Sequence, residues 1–491
     1  MHSQREISGV ALVENSLRRR REEMKKFNKV LALMLVLIMV LSLSACGSSS
    51  SSTSGGSNTD DTKTETPADD GSGDDASSDD ASGGSGSTDP FYVYSFNTEL
   101  GERLELIKEF IPDYDRIVYV NTGGNDTYQE KMDTLLAAPD AEDYPDIMLL
   151  EADYIKKYVS SDMTIPVEDL GITADDYKNN YEYTIIAATD ERTGKVKGLS
   201  WQACPGAFMY RRSLAEKYLG TQEPDEVQEY VKDWDAFLET ARTIKEKSGG
   251  ECKILSSPGD LARVYQSDRS QGWVVGGKLT IDPAMDDYME FNKILKEEDL
   301  TNNTAQWTEA WNAGASQDDT FAYFGCTWFL HWTIKANCGG EKPGEGTYGD
   351  WAMCKGPVEY FWGGSWISAT AACADKDFAK EIMLALCTNT DAMYKIADES
   401  LDYVNNKEAV QKLIDDGKGP YEFLGGQDFL AVFEPLAEKV DLSTMTAYDQ
   451  KINSAWDNEI TAYAEGTKDK ETAIADFKKA VTDMFPDVTA D

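Results

Sequence analysis

The chain reads as an α/β protein built on a mainly parallel sheet, on two grounds. Its first well-patterned stretch runs strand, helix, strand, helix, strand, the order produced when parallel strands are joined through right-handed helical crossovers. Its 491 residues are 41% hydrophobic and 11% aromatic, a globular balance at a length that holds two or three domain-sized cores. Charge then removes whole classes of partner. With 88 Asp and Glu against 47 Lys and Arg, the formal net charge is −41. A reader of duplex DNA or RNA needs a basic footprint, so nucleic acid is excluded as a partner, and anionic lipid surfaces suit this chain no better.

The first elements form a leader. Residues 1–23 are too long and too mixed in charge to begin an export signal, and they read as translated upstream sequence with Met24 as the initiator. From Met24 the chain runs MKKFNKV, then 12 unbroken apolar residues over 30–41, then Leu43-Ser44-Ala45-Cys46. Such an apolar run suits a signal peptide and falls short of the roughly 20 residues that a membrane-spanning helix needs. Residues 24–45 are therefore expected to be a signal peptide. Leu-Ser-Ala-Cys at its end resembles the bacterial lipobox, which implies cleavage before Cys46 and a lipid on its sulfur. From Cys46 to residue 90 the chain is low-complexity Ser, Gly, Thr and Asp without one aromatic residue, carrying a net charge of −9. It cannot bury enough apolar surface to offset its ordering entropy, and it is expected to be a disordered tether with an end-to-end distance of about 35–40 Å.

Residues 91–491 carry the remaining −36. FYVYSF is an aromatic, alternating strand, followed by an amphipathic helix through Leu104, Ile107, Phe110 and Ile111. RIVYVN is the second strand, a helix covers about 128–138, and DIMLL from Asp146 is the third strand. Ligands of parallel sheets sit beyond the carboxyl ends of the strands. Those ends are Asn97, the Asn121 to Gly124 turn, and Glu151 to Asp153. Metal and nucleophile chemistry has little to work with. His331 is the one histidine left once the leader is removed, it lies inside the apolar run WFLHWTI, and no Walker A, HExxH or GxGxxG string occurs. Seven cysteines follow Cys46, an odd number with no CxxC spacing, so at least one is expected to stay free.

Four strings in order, DIMLLEADYIKKYV, GKVKGLSWQACPGAFMYRRSLAEKYLG, GCTWFLHWTIKAN and GPVEYFWGGSWISA, resemble the carbohydrate-type family (family 1) of extracellular solute-binding proteins that serve bacterial ABC importers. The resemblance implies a two-lobed periplasmic-binding-protein-like fold. Each lobe would be a mainly parallel sheet flanked by helices, with hinge strands between the lobes. Crossings are expected at 198–211, with a break at Pro205-Gly206, and at 356–369, centred on Gly363-Gly364. Lobe one would then be 91–203 plus 365–430, and lobe two 204–364 plus 431–491. The function implied is a lipid-anchored receptor on the outer face of the bacterial membrane that closes on a mono- or oligosaccharide and delivers it to permease subunits. It would be a monomer without cofactor, metal or catalytic residues. A secreted glycosidase or lyase and a receptor for a non-sugar solute are the alternatives.

All eleven tryptophans follow residue 200, and aromatic faces match the C–H faces of pyranose rings. The family resemblance implies a stacking role for Trp328, and Trp201, Trp273, Trp362 and Trp366 join it as cleft candidates by their place in or beside the four strings. Trp234 and Trp456 read as packing residues. For sugar hydroxyls the candidates are Asn97, Glu151 and Asp153 from lobe one and Arg269, next to Asp268, from lobe two.

Overall fold

The computed structural model describes residues 88–490. The segment 1–23, the signal peptide, Cys46 and all but the last three residues of the tether lie outside the described residues. In chain order the strands are β1 (Phe91–Ser95), β2 (Ile117–Asn121), β3 (Ile147–Glu151), β4 (Leu199–Ser200), β5 (Ala207–Arg211), β6 (Lys253–Leu255), β7 (Val274–Val275), β8 (Lys278–Leu279), β9 (Thr320–Gly325), β10 (Trp351–Cys354), β11 (Ser365–Ala369), β12 (Pro420–Tyr421) and β13 (Gln427–Asp428). Two sheets of five and four strands, ordered β2-β1-β3-β11-β4 and β10-β5-β9-β6, form the centres of two lobes.

In lobe one, β1 pairs in parallel with both β2 and β3, as the strand-helix alternation requires. The helix Glu99–Leu106 buries Leu100 and Leu104, and the helix Asn125–Leu136 buries Tyr128, Met132 and Leu135. β3 is apolar along almost its whole length and β11 is buried throughout, because both faces of the sheet are covered. Not every strand is parallel. β11 runs against β3 and β4, and β5 runs against β9 and β10. The reason is topological: β11 and β5 begin where the chain enters a lobe from the cleft side, at the edge where β3 and β9 end. Their registers show it, with Ser365 opposite Glu151 and Ala207 opposite Gly325.

The two crossings run side by side. Pro205 and Phe361 form an antiparallel bridge, Gly206 N donates to Tyr360 O at 2.8 Å, and Trp362 N donates to Cys204 O at 3.3 Å. Further along the chain, the Gln427 side chain grips the backbone of Met353 in β10 by two hydrogen bonds of 2.9 and 2.7 Å. The helices Asp449–Ala464 and Lys470–Met484 pack with Pro283–Glu297 in lobe two, where Trp456 meets Trp273 and Phe477.

Cys204, Cys252, Cys326, Cys338, Cys354, Cys373 and Cys387 are all buried free thiols. Burial raises the thiol pKa of Cys252, Cys354 and Cys373 to about 12, which keeps them unreactive. A thiol count on residues 88–490 is therefore expected to find close to none in the native state and seven after denaturation without reductant. A count of one after denaturation would mean three disulfides.

Candidate ligand cleft

A cavity of about 400 Å³ lies between the lobes at the carboxyl ends of the strands, within the size range of small-ligand sites. Lobe one contributes Asn97 and Glu99 from the β1 turn and helix, Glu151 from the end of β3, and Gln202 from the first crossing. Lobe two contributes Trp328 and Trp332. The second crossing passes between them as Gly363-Gly364, with φ of 74° and 96°.

Trp328 is held where it is by three contacts. Its Nε1–H donates to Trp362 O at 3.1 Å, its ring lies edge-on to Trp362, and Trp307 stacks on it with ring centroids 6.2 Å apart. A Cβ at Gly363 would lie 2.9 Å from Trp328 Nε1, so the close approach of strand to ring requires glycine there. Trp328 and Trp332 are four residues apart on the turn that runs from Thr327–Phe329 into a π-helical stretch at Leu330–Lys335, which brings both rings to one face. Trp332 is 59% exposed and Trp307 is 54% exposed, both unusually open for tryptophan.

The opposite wall is polar. Asn97 Oδ1 accepts from Glu99 N at 3.2 Å, and Gln202 Nε2 donates to Glu99 Oε1 at 2.6 Å. Burial, aided by the neighbouring Asp402, pushes the Glu99 carboxyl up to about 8 against the pull of Arg103. Burial and Asp153 push Glu151 up likewise, against Arg263. Asp153 itself turns away into an ion pair across the lobes. Both of its oxygens are gripped by Arg263, with Nη2 to Oδ2 at 2.7 Å.

Raised carboxyl pKa values have a definite sign in stability. A glutamate costs nothing while protonated in both folded and unfolded states. Between the ordinary value of about 4.5 and the folded value near 8, the unfolded chain ionises first and stability falls. The melting temperature of the ligand-free protein is expected to rise as the pH is lowered from 8 towards 5. Glu151→Gln is expected to flatten that slope, as followed by differential scanning fluorimetry. An unchanged slope would remove Glu151 as its source.

Of the residues predicted for the site, Asn97, Glu151 and Trp328 line the cavity. Trp362 is buried beside Trp328 and serves it through its carbonyl. Trp201, Trp366, Trp273, Arg269 and Asp153, expected in the cleft, do not line this cavity. Trp201 and Trp366 are fully buried in lobe one, where β11 has no open face and Trp366 Nε1 donates to Thr184 O at 2.9 Å. Trp273 is spent on the helical core of lobe two, donating to Asn453 Oδ1 at 2.7 Å. Arg269 pairs with buried Asp449 at 2.5 Å and, with Asp153, borders a separate cavity of about 60 Å³, too small for a sugar ring. Trp332, Glu99, Glu102 and Gln202 were missed. The W-x₃-W spacing in GCTWFLHWTIKAN is the signal that could have found Trp332. His331 between them is structural. Tyr421 Oη and Leu401 O lie 3.2 and 3.1 Å from its ring nitrogens, and burial drives its pKa down to about 3.

Among the described residues, no group of three or more His, Cys, Asp or Glu side chains is placed to hold a metal ion, and no helix is long and apolar enough to cross a membrane. Residues 105–419 match the sequence profile of a family described as bacterial extracellular solute-binding protein. A lactose-binding protein of Rhizobium radiobacter is 24% identical over 360 residues, 69% of this chain and 79% of that protein. A crystal structure of an extracellular solute-binding protein of family 1 superposes with a TM-score of 0.67 at 19% identity, over 80% of this chain and 100% of the other. The galacto-N-biose and lacto-N-biose I-binding protein of a Bifidobacterium longum ABC transporter, in complex with lacto-N-biose, superposes with a TM-score of 0.62 at 13% identity, over 82% of this chain and 98% of the other.

Proposed function

Since the chain belongs to the bacterial extracellular solute-binding proteins, we propose that it is the receptor of an ABC importer and that its ligand is a mono- or oligosaccharide. One observation carries the sugar reading: a cavity with tryptophan faces on one side and amide and carboxyl groups on the other. A pyranose offers the complement of both, C–H faces for the rings and adjacent hydroxyls for the oxygens. Trp328 and Trp332 would stack on the sugar, and Asn97, Glu151 and Gln202 would take its hydroxyls. The lactose- and lacto-N-biose-binding relatives support the same ligand class.

Lobe one (91–203 plus 365–430) and lobe two (204–364 plus 431–491) would close about the paired crossings, with the ligand touching both only in the closed form. The Asp153–Arg263 pair would be made in that form, and Arg263→Ala is expected to weaken binding roughly tenfold or less, since both side chains are about one-third exposed. A lipid on Cys46 and the acidic tether would hold the receptor clear of the membrane beside its permease.

A thermal-shift screen over a glycan panel tests the reading. Stabilisation by a glycan that is recovered unchanged supports a receptor, and turnover by trace protein would assign a carbohydrate-active enzyme instead.

A further inference from the structure

We propose that this cleft selects glycans by charge: it takes neutral glycans, takes those with a free amino group more tightly, and rejects those bearing a carboxylate. The inference rests on the sugar-receptor reading and narrows its ligand class.

The cavity wall holds Glu99, Glu102 and Glu151, and none of the residues lining it is Lys, Arg or His. The two arginines that act on Glu99 and Glu151 are already committed. Arg103 is buried, with Nε donating to Asp402 at 2.7 Å and Nη2 lying 3.5 Å from Glu99. Arg263 is taken by Asp153. Five carboxyl groups, those of Glu99, Glu102, Glu151, Asp153 and Asp402, thus face two guanidinium groups. A ligand carboxylate would find no cation to replace its lost water, and like charges brought together across an interface oppose binding.

An ammonium meets the reverse situation. Burial, with Asp402 beside Glu99 and Asp153 beside Glu151, holds both carboxyls protonated up to about pH 8, and the guanidinium beside each is already shared with another carboxylate. An ammonium placed beside these carboxyls would favour their ionised form and pair with it, whereas an anion would oppose that ionisation. The tryptophan faces add to the preference, because the π-cloud of an indole attracts a cation held against it. Glu102 extends the same field to the mouth of the cavity, where its side chain is 54% exposed.

The test uses three disaccharide scaffolds, cellobiose, lactose and maltose, each as the neutral sugar, its 2-amino-2-deoxy form and its uronic acid form, titrated calorimetrically into the processed chain. On whichever scaffold binds, the uronic acid is expected to bind at least roughly tenfold more weakly than the neutral sugar and the amino form several-fold more tightly. The amino preference should shrink as salt is added. Glu102→Gln and Glu151→Gln should each narrow the gap between amino and uronic forms, with circular dichroism checking that both variants are folded. A uronic acid that binds as tightly as its neutral parent, or a gap unmoved in both folded variants, overturns charge selection and leaves the sugar receptor standing. Binding of no sugar on any scaffold overturns both.

Discussion

Trp328→Ala is expected to lower glycan affinity at least roughly thirtyfold while leaving a folded protein, because an aromatic anchor at the centre of a binding site is worth about 2 kcal/mol or more. The ring is the lobe-two wall of the cavity, and its orientation is fixed by the bond to Trp362 O and by the stacked Trp307. A ligand loses no entropy in ordering it, which is the advantage of a preorganised ring. The fold should survive because Trp328 only borders the core, which is closed without it by Trp311, Phe329 and Tyr323. Trp328→Phe should recover most of the affinity, whereas Trp332→Ala should cost less, since an exposed ring is less completely desolvated by the ligand. Undiminished affinity in Trp328→Ala would take the ring out of the site.

The second large effect is expected at Gly206, where a Cβ would lie 2.2 Å from the Tyr360 ring. The ring has nowhere to go. Its hydroxyl donates to Ala207 O at 2.9 Å and Gly325 O at 3.0 Å, tying the second crossing to β5 and β9. Gly206→Val would have to separate the crossings or expel a buried tyrosine, at a cost of about 3 kcal/mol or more. Denaturant unfolding should show the loss, and a variant as stable as the parent would mean that the crossings can part freely.

These two residues also mark what could be read from the chain. The strand-helix alternation over 91–151 fixes the parallel core of lobe one, and the rule that ligands sit beyond strand ends leads to Asn97 and Glu151 without any contact being known. Pro205-Gly206 and Gly363-Gly364 punctuate strands in a way that local sequence reveals. Tryptophan orientation is another matter. SWISA is buried on both faces, so it has no polar alternation to say which way Trp366 points. Trp273 stands in a loop whose partners, Trp456 and Phe477, arrive 183 and 204 residues later. Glu99 and Glu102 look like ordinary helix-start acids, and only the folded chain brings them opposite Trp328 and Trp332. In each case the missing information is a long-range contact.

A receptor of this kind captures one unaltered sugar in its cleft. Calorimetric titration of the processed chain with the most stabilising glycan, followed by chromatography of the recovered ligand, tests it most directly. One glycan per chain, recovered intact, is expected, with the heat lost in Trp328→Ala. A chemically altered glycan, or the same heat with the indole removed, would contradict it.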